Sequence, residues 1–476
     1  MPALPCRLFG KRGEAVRRNP DYDDLDLRIS RGEAQEYTVG IIRSTQGENE
    51  FPSVLSIQPS SEPQNTWLAH WSRGWITPAE LEALGRWLMG CMLPEGQVRS
   101  LYEKSRGGDH GLRIRLRLPN SELQALPWEA AFDDRLGDYL GLDQSTSLVR
   151  YLELPVSSRL EPGGEQIRIL TLVSISPDQP SLQVVAEVQN LLRSLDDLLA
   201  DNRAKVDFLV SAAGTGRAEI ESLLAGQPGS VLLPGNASLT RLQEALREDY
   251  WILHYIGHGS YSEDTGGSII LSTEDGLSDE VDAVTFSRQL RNSNVSIVIL
   301  NSCSTAMQDR TGEFRGVAQR LVQAGLPAVV AMQSLITDSN AIAFSRALFG
   351  AIANGYSLDS AVTEGRVAIV ATRTGVAGEF AIPVLYLRSS ETVVWKKRSG
   401  TQEASSPDLT KDARAGIIFQ GDPNIYGPVI PGTVKGNVNY EYHAAPKGRT
   451  QKDSQKKPGE QDRGDADREE TDLEPK

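Results

Sequence analysis

His258 and Cys303 are residue types that together could do covalent chemistry, and each ends an apolar run. The stretch "WILHYIGHGSY", residues 251–261, drives a strand-like run into an imidazole between two glycines. The stretch "VSIVILNSCST", residues 295–305, drives a second run into a thiol. A thiol is only slightly ionised at neutral pH. A nearby imidazole takes its proton or lowers its pKa, and so makes a nucleophile. Acyl transfer also needs N–H donors for the oxyanion that develops. Gly259 has no side chain, so its N–H can come close to a substrate carbonyl. The Cys303 N–H is the matching second donor. Glycines on either side of His258 would allow the tight turn that aims the ring. Each residue alone also has a plain structural reading. A buried Cys packs as a small hydrophobe, and a His between glycines serves a turn.

The two can meet only if their runs are neighbouring strands that end at one sheet edge. In open parallel sheets, reactive groups collect at the carboxyl ends of strands. From Ile167 onward the sequence alternates strand and helix patterns. Strands are expected at 167–174, 206–211, 251–256, 295–300, 327–332 and 381–387, with a short one at 268–272. Helices are expected at 182–200, 239–248, 282–292, 313–325, 339–355 and 357–373. This alternation implies a mostly parallel sheet covered on both faces. Both key runs are apolar on both sides, which suits central strands. The helix at 282–292 gives the crossover that joins parallel neighbours.

Before Ile167 the style differs. Residues 24–30, 37–44 and 53–59 alternate apolar and polar, as half-buried antiparallel strands do. Thr77 and Pro78 open a helix to Met92 with Leu81, Leu84, Leu88 and Met92 near one face. "GLRIRLRL", residues 111–118, reads as a strand with its arginines on a solvated side. The fold class is therefore α/β: a mostly parallel sheet flanked by helices, an N-terminal α+β half at 24–160 and a core at 165–392. Residues 1–23 read as a flexible start, 397–446 as a linker with a Gly/Asn-rich interaction segment, and 447–476 as a disordered charged tail.

Composition excludes several classes. Three cysteines in 476 residues are not a disulfide framework, and no CxxC pair suggests zinc. A net charge of −14 opposes nucleic-acid binding, which needs surplus Lys and Arg. No apolar run nears the ~18 residues that span a bilayer. The first residues lack a continuous apolar h-region. A cytoplasmic protein without nucleic-acid or membrane partners is expected. "AAGTGRAE" is not a dinucleotide fingerprint, no phosphate loop is present, and no cofactor is expected. Cys91 reads as structural, and Trp128 of "PWE" as packing. His254 reads as a satisfied core histidine, while His70, His110 and His443 are scattered.

At these residues the sequence resembles the CHAT family of caspase-like cysteine peptidases, relatives of caspases and separase. "HYIGHGSY" and "VILNSCST" carry the resemblance at the dyad. Residues 24–44, 112–134 and 145–155 resemble the N-terminal half of bacterial members, and 314–369 the segment after the nucleophile. The resemblance implies a caspase-like fold with His258 as general base and Cys303 as nucleophile. Gly259 and Cys303 N–H would form the oxyanion hole, and no third acid is needed. The caspase signature Gln-Ala-Cys-x-Gly is absent, so specificity for aspartate at P1 does not carry over. Asp338 in "ITDSNA" is implied as acceptor of a basic P1 side chain; its alternative role is to cap a helix. The family implies an endopeptidase acting on a protein substrate in bacterial defence, switched on by a sensor. This chain has no TPR repeat of its own, so a separate regulatory partner is expected, with 415–442 as its dock. The competing reading is a non-catalytic CHAT-fold adaptor, and a third is another thiol hydrolase or acyltransferase.

Overall fold

The computed structural model describes residues 21–32, 36–49, 52–55, 57–152, 154, 160, 164–179, 182–211, 215–262, 266–301 and 313–395. Two compact units divide the chain, 1–402 and 403–476, and all described residues belong to the first. Residues 1–20 of the expected flexible start, the interaction segment 415–442 and the charged tail lie outside the described residues, as does Cys303, whereas residues 22 and 23 of that start belong to the first strand.

The elements, in chain order, begin with strands β1 (Tyr22–Arg31), β2 (Tyr37–Arg43) and β3 (Ser53–Leu55). Helices α1 (Gln64–Arg73), α2 (Pro78–Met92) and α3 (Gln97–Arg106) follow, then β4 (Gly111–Arg117), α4 (Ser121–Gln124), β5 (Phe132–Asp133), β6 (Asp138–Tyr139) and β7 (Thr146–Tyr151). Next come β8 (Ile167–Val173), α5 (Val184–Ser194), α6 (Asp196–Ala200), β9 (Ala204–Val210), α7 (Thr215–Leu224), β10 (Ser230–Leu232) and α8 (Leu239–Ala245). The centre holds β11 (Ile252–Ile256), β12 (Gly259–Ser262), β13 (Gly266–Ser272), β14 (Ser278–Asp282), α9 (Ala283–Leu290) and β15 (Ile297–Asn301). The last are α10 (Glu313–Gln323), β16 (Ala328–Met332), α11 (Asp338–Ala353), α12 (Leu358–Thr372) and β17 (Pro383–Leu387).

Among the described residues, twelve strands form one sheet in the order β10-β9-β8-β11-β15-β16-β17-β7-β4-β1-β2-β3. Strands β10, β9, β8, β11, β15 and β16 run parallel, β17 turns antiparallel to β16, and β7, β4 and β1 run parallel to β17, while β12, β13 and β14 form a separate antiparallel sheet. The expected mostly parallel, helix-flanked sheet is present, and the two apolar runs are its central neighbours β11 and β15. Their side chains alternate between two cores. Ile252, Ile256, Ile297 and Ile299 join the core that includes Val188 of α5 and Phe344 of α11. Leu253, Tyr255, Val298 and Leu300 join the one with Phe286 of α9 and Val317 of α10. This two-sided burial is why the runs carry no polar face.

Helix α2 begins as its sequence demands. The Thr77 side chain accepts from the Glu80 N–H and Glu80 returns a bond to the Thr77 N–H, with Pro78 in the first turn. Cys91 is buried in this helix, and burial pushes its thiol pKa up to about 12.

Two expectations need correction. The β4 arginines do not face solvent: Arg113 and Arg115 are buried. Arg113 Nε donates to Asp359 of α12 at 2.8 Å, and its Nη1 donates to Asp24 at 3.0 Å and to the Ser390 carbonyl at 2.9 Å. Arg115 reaches Asp24 and Asp26 of β1, and its guanidinium lies 4.1 Å from the centre of the Tyr151 ring. Neighbouring strands and α12 supply the carboxylates, so alternation here marks a buried ionic face. The expected helix 182–200 is two helices, interrupted at Leu195, where the backbone leaves helical geometry (φ −110°, ψ 4°). Among the described residues, no helix is long and apolar enough to cross a membrane.

Candidate active site

The carboxyl ends of β11 and β15 are in register. Ile256 pairs with Asn301, and the Gly257 N–H donates to the Asn301 carbonyl at 3.4 Å. His258 follows Ile256 by two positions, and Cys303 follows Asn301 by two positions. The ladder thus holds both chains together up to the residue before the imidazole.

His258 is buried, with 9% of its surface exposed. Its backbone is fixed from below by Tyr255. The Tyr255 hydroxyl lies 2.7 Å from the carbonyls of both His258 and Ile270, and accepts from the Ile270 N–H at 3.2 Å. Ile270 N–H also donates to the His258 carbonyl at 3.0 Å. The glycine at 257 has a different purpose from the expected turn geometry, because its φ is not in the left-handed region. A Cβ there would stand 2.6 Å from Tyr255 Cζ. Gly257→Ala is therefore expected to displace the tyrosine that holds His258, at about 1–3 kcal/mol of overpacking. Thermal melting checks the stability loss; an unchanged midpoint would contradict it.

Gly259 opens β12 and pairs with Ile269 of β13. Because Ile270 N–H bonds to the His258 carbonyl, Gly259 and Ile269 form a non-hydrogen-bonded pair. The Gly259 N–H therefore points away from β13, and β12 is the edge strand of its small sheet.

Asp338 is the first residue of α11 and is 7% exposed. The helix cap position belongs to Thr337. Its hydroxyl and N–H both point to Glu379 Oε2, at 2.8 and 3.3 Å, and Asn340 Nδ2 donates to the same oxygen at 2.6 Å. A carboxylate from a distant turn thus serves this helix start. Sequence reading missed Glu379 because it lies 42 residues from Thr337.

His254 is fully buried on β11, as expected, and among the described residues neither ring nitrogen has a hydrogen-bond partner. Nε2 lies 3.5 Å from Glu187 Oε1 of α5, and the ring meets Phe349 edge-on at 5.0 Å. Asn301 Nδ2 donates to that same Glu187 oxygen and to Ser345 Oγ of α11 at 2.8 Å. Sequence analysis did not single out Glu187, Asn301 or Ser345; a polar Asn closing an apolar strand was the one available signal. His70 pairs with Glu80 at 2.9 Å and His110 with Asp23 at 3.2 Å, both remote in the chain from His258 and Cys303; His443 lies outside the described residues. Among the described residues, no group of three or more His, Cys, Asp or Glu is arranged to hold a metal ion.

A sheet of this order, with an imidazole delivered at the carboxyl edge of central parallel strands, is the architecture of an α/β protein with an edge site. The CHAT domain family model matches residues 60–400, and the chain belongs to that family. Two crystal structures of the Saccharomyces cerevisiae separase–securin complex are similar at 15% identity, with TM-scores of 0.29 and 0.28. The match covers 71% of this chain and 20% of the separase chain, so this chain spans about a fifth of it. No curated protein sequence matches the chain.

Proposed function

We propose that this CHAT domain protein is a caspase-like cysteine endopeptidase that works through His258 and Cys303. The observation that supports this reading best is the register of β11 and β15. Ile256 and Asn301 are paired, and each stands two positions ahead of one dyad member. In the proposed reaction, His258 takes the Cys303 proton and the thiolate attacks the peptide carbonyl. The Gly259 and Cys303 N–H groups receive the oxyanion. His258 then protonates the leaving amine, and the acyl-enzyme remains on Cys303. His258 next activates water, which releases the acid and restores the thiol.

Asp338 is proposed to receive a basic P1 side chain. It begins a helix after the carboxyl end of β16, the strand beside β15. Its carboxyl group, largely out of water, suits arginine or lysine as a partner. Asp338→Asn should lower kcat/KM for Arg and Lys substrates by ~30-fold or more, the loss typical of a truncated buried charge pair. Equal cleavage of basic peptides by both proteins would remove Asp338 from the specificity site. A regulatory protein partner docking through 415–442, and action in the cytoplasm within a bacterial defence system, complete the proposal. The deciding experiment is cleavage of a peptide library varied at P1, comparing the native chain with Cys303→Ala. Source-cell lysate is added as an activator. Cleavage lost in the alanine protein supports the peptidase and identifies P1. No cleavage by the native chain would favour the adaptor reading.

A further inference from the structure

Strand β15 is apolar until its last residue, Asn301, which is fully buried. Burying a polar group without partners costs about 1–3 kcal/mol; among the described residues the amide oxygen has no hydrogen-bond partner, and the contacts are those of the amide nitrogen. Asn301 Nδ2 donates to Glu187 Oε1 and, at 2.8 Å, to Ser345 Oγ. Ser345 Oγ lies 3.4 Å from the same Glu187 oxygen. That oxygen is also 3.5 Å from His254 Nε2 on β11. One carboxylate oxygen on α5 therefore faces both strands that lead to the dyad.

From this arrangement we infer that Glu187 is a positioning residue for the nucleophile. It acts through Asn301, holding the end of β15 at a fixed height against β11. The inference rests on the dyad reading above. Without this acceptor, the Asn301 amide would lose one of its two contacts, and the chain leading to Cys303 would lose its reference to His258. The dyad side chains themselves would be intact. The defect should therefore appear in nucleophile activation rather than in peptide binding.

The test is alkylation of each cysteine of the full chain by iodoacetamide, followed by mass spectrometry. Buried Cys91 is the internal slow reference. Cys303 should react about tenfold more slowly in Glu187→Met, the scale of one lost charge-assisted hydrogen bond. Glu187→Gln keeps an acceptor oxygen and should restore most of the rate. Ser345→Ala should slow it in the same direction, and it decides the matter if Glu187→Met does not fold. In cleavage assays kcat should fall while KM stays. Unchanged Cys303 reactivity in Glu187→Met and Ser345→Ala would overturn the inference, as would failure of Glu187→Gln to restore it. His258→Ala separates the two levels. If it slows Cys303 and the Glu187 variants do not, the dyad stands and the positioning role falls. If it leaves Cys303 unchanged, the dyad reading itself falls, and this inference with it.

Discussion

Cys303→Ala should abolish peptide cleavage, a fall of ~10⁴-fold or more, because no acyl-enzyme can form without the thiol. Cys91 offers no substitute: it is buried in α2, and its thiol pKa is pushed up to about 12. His258→Ala should lose nearly as much at neutral pH, since the thiol then stays protonated. The two losses should not add, because the residues act as one unit. His258→Ala should also regain part of its activity as pH rises past about 8.5, where an unassisted thiol ionises. The measurement is kcat/KM against pH for the native chain, both single variants and the double variant. Cleavage retained in Cys303→Ala would end the peptidase reading. Thermal midpoints within a few degrees of native would show that the loss is chemical.

The second large effect concerns stability. Arg113→Met should destabilise the domain by about 3–5 kcal/mol, because it leaves Asp359 buried without its cation. Burial pushes the Asp359 pKa up, but the Arg113 charge and hydrogen bonds from Ser357, Arg113 and Thr392 outweigh it, so the carboxyl is held below its ordinary value. A carboxyl lowered by folding contributes stability that is fully present above its unfolded pKa, about 3.9. That contribution fades as pH falls from there through the lower folded value. Melting at pH 7, 5 and 3 should show the native domain losing stability mainly below pH 4. Asp359→Asn should be weaker at pH 7 and lose less on acidification. A native-like midpoint for Arg113→Met at pH 7 would contradict this account.

The β4 arginines also show where a sequence misleads. Alternation reports that two faces differ, not which of them meets water. The carboxylates that bury Arg113 come from β1 and α12, with Asp359 246 residues away in the chain. The central strands were legible for the opposite reason. A run apolar on both sides has only one comfortable place, between two helix layers. The helix break at Leu195 was hidden because the apolar period passes through it. His258 was legible as a residue, since glycines frame it, but the reason for Gly257 was not. That reason is the ring of Tyr255, folded back over the chain. Glu187 stayed invisible because its meaning depends on Asn301, 114 residues later.

The place of β17 has a consequence for biosynthesis. Arg150 of β7 pairs with Tyr386 of β17, and β17 also completes the ladder on β16. The strands made first cannot join the central sheet until residues near 387 have left the ribosome. Until then β7 and β16 each present an unpaired edge, the feature that invites aggregation of nascent chains. Such long-range closure also slows folding, since loop entropy is spent before the contacts repay it. A ribosome stalled after the Cys303 codon would therefore release a chain that already carries His258 and Cys303 but cannot close the sheet.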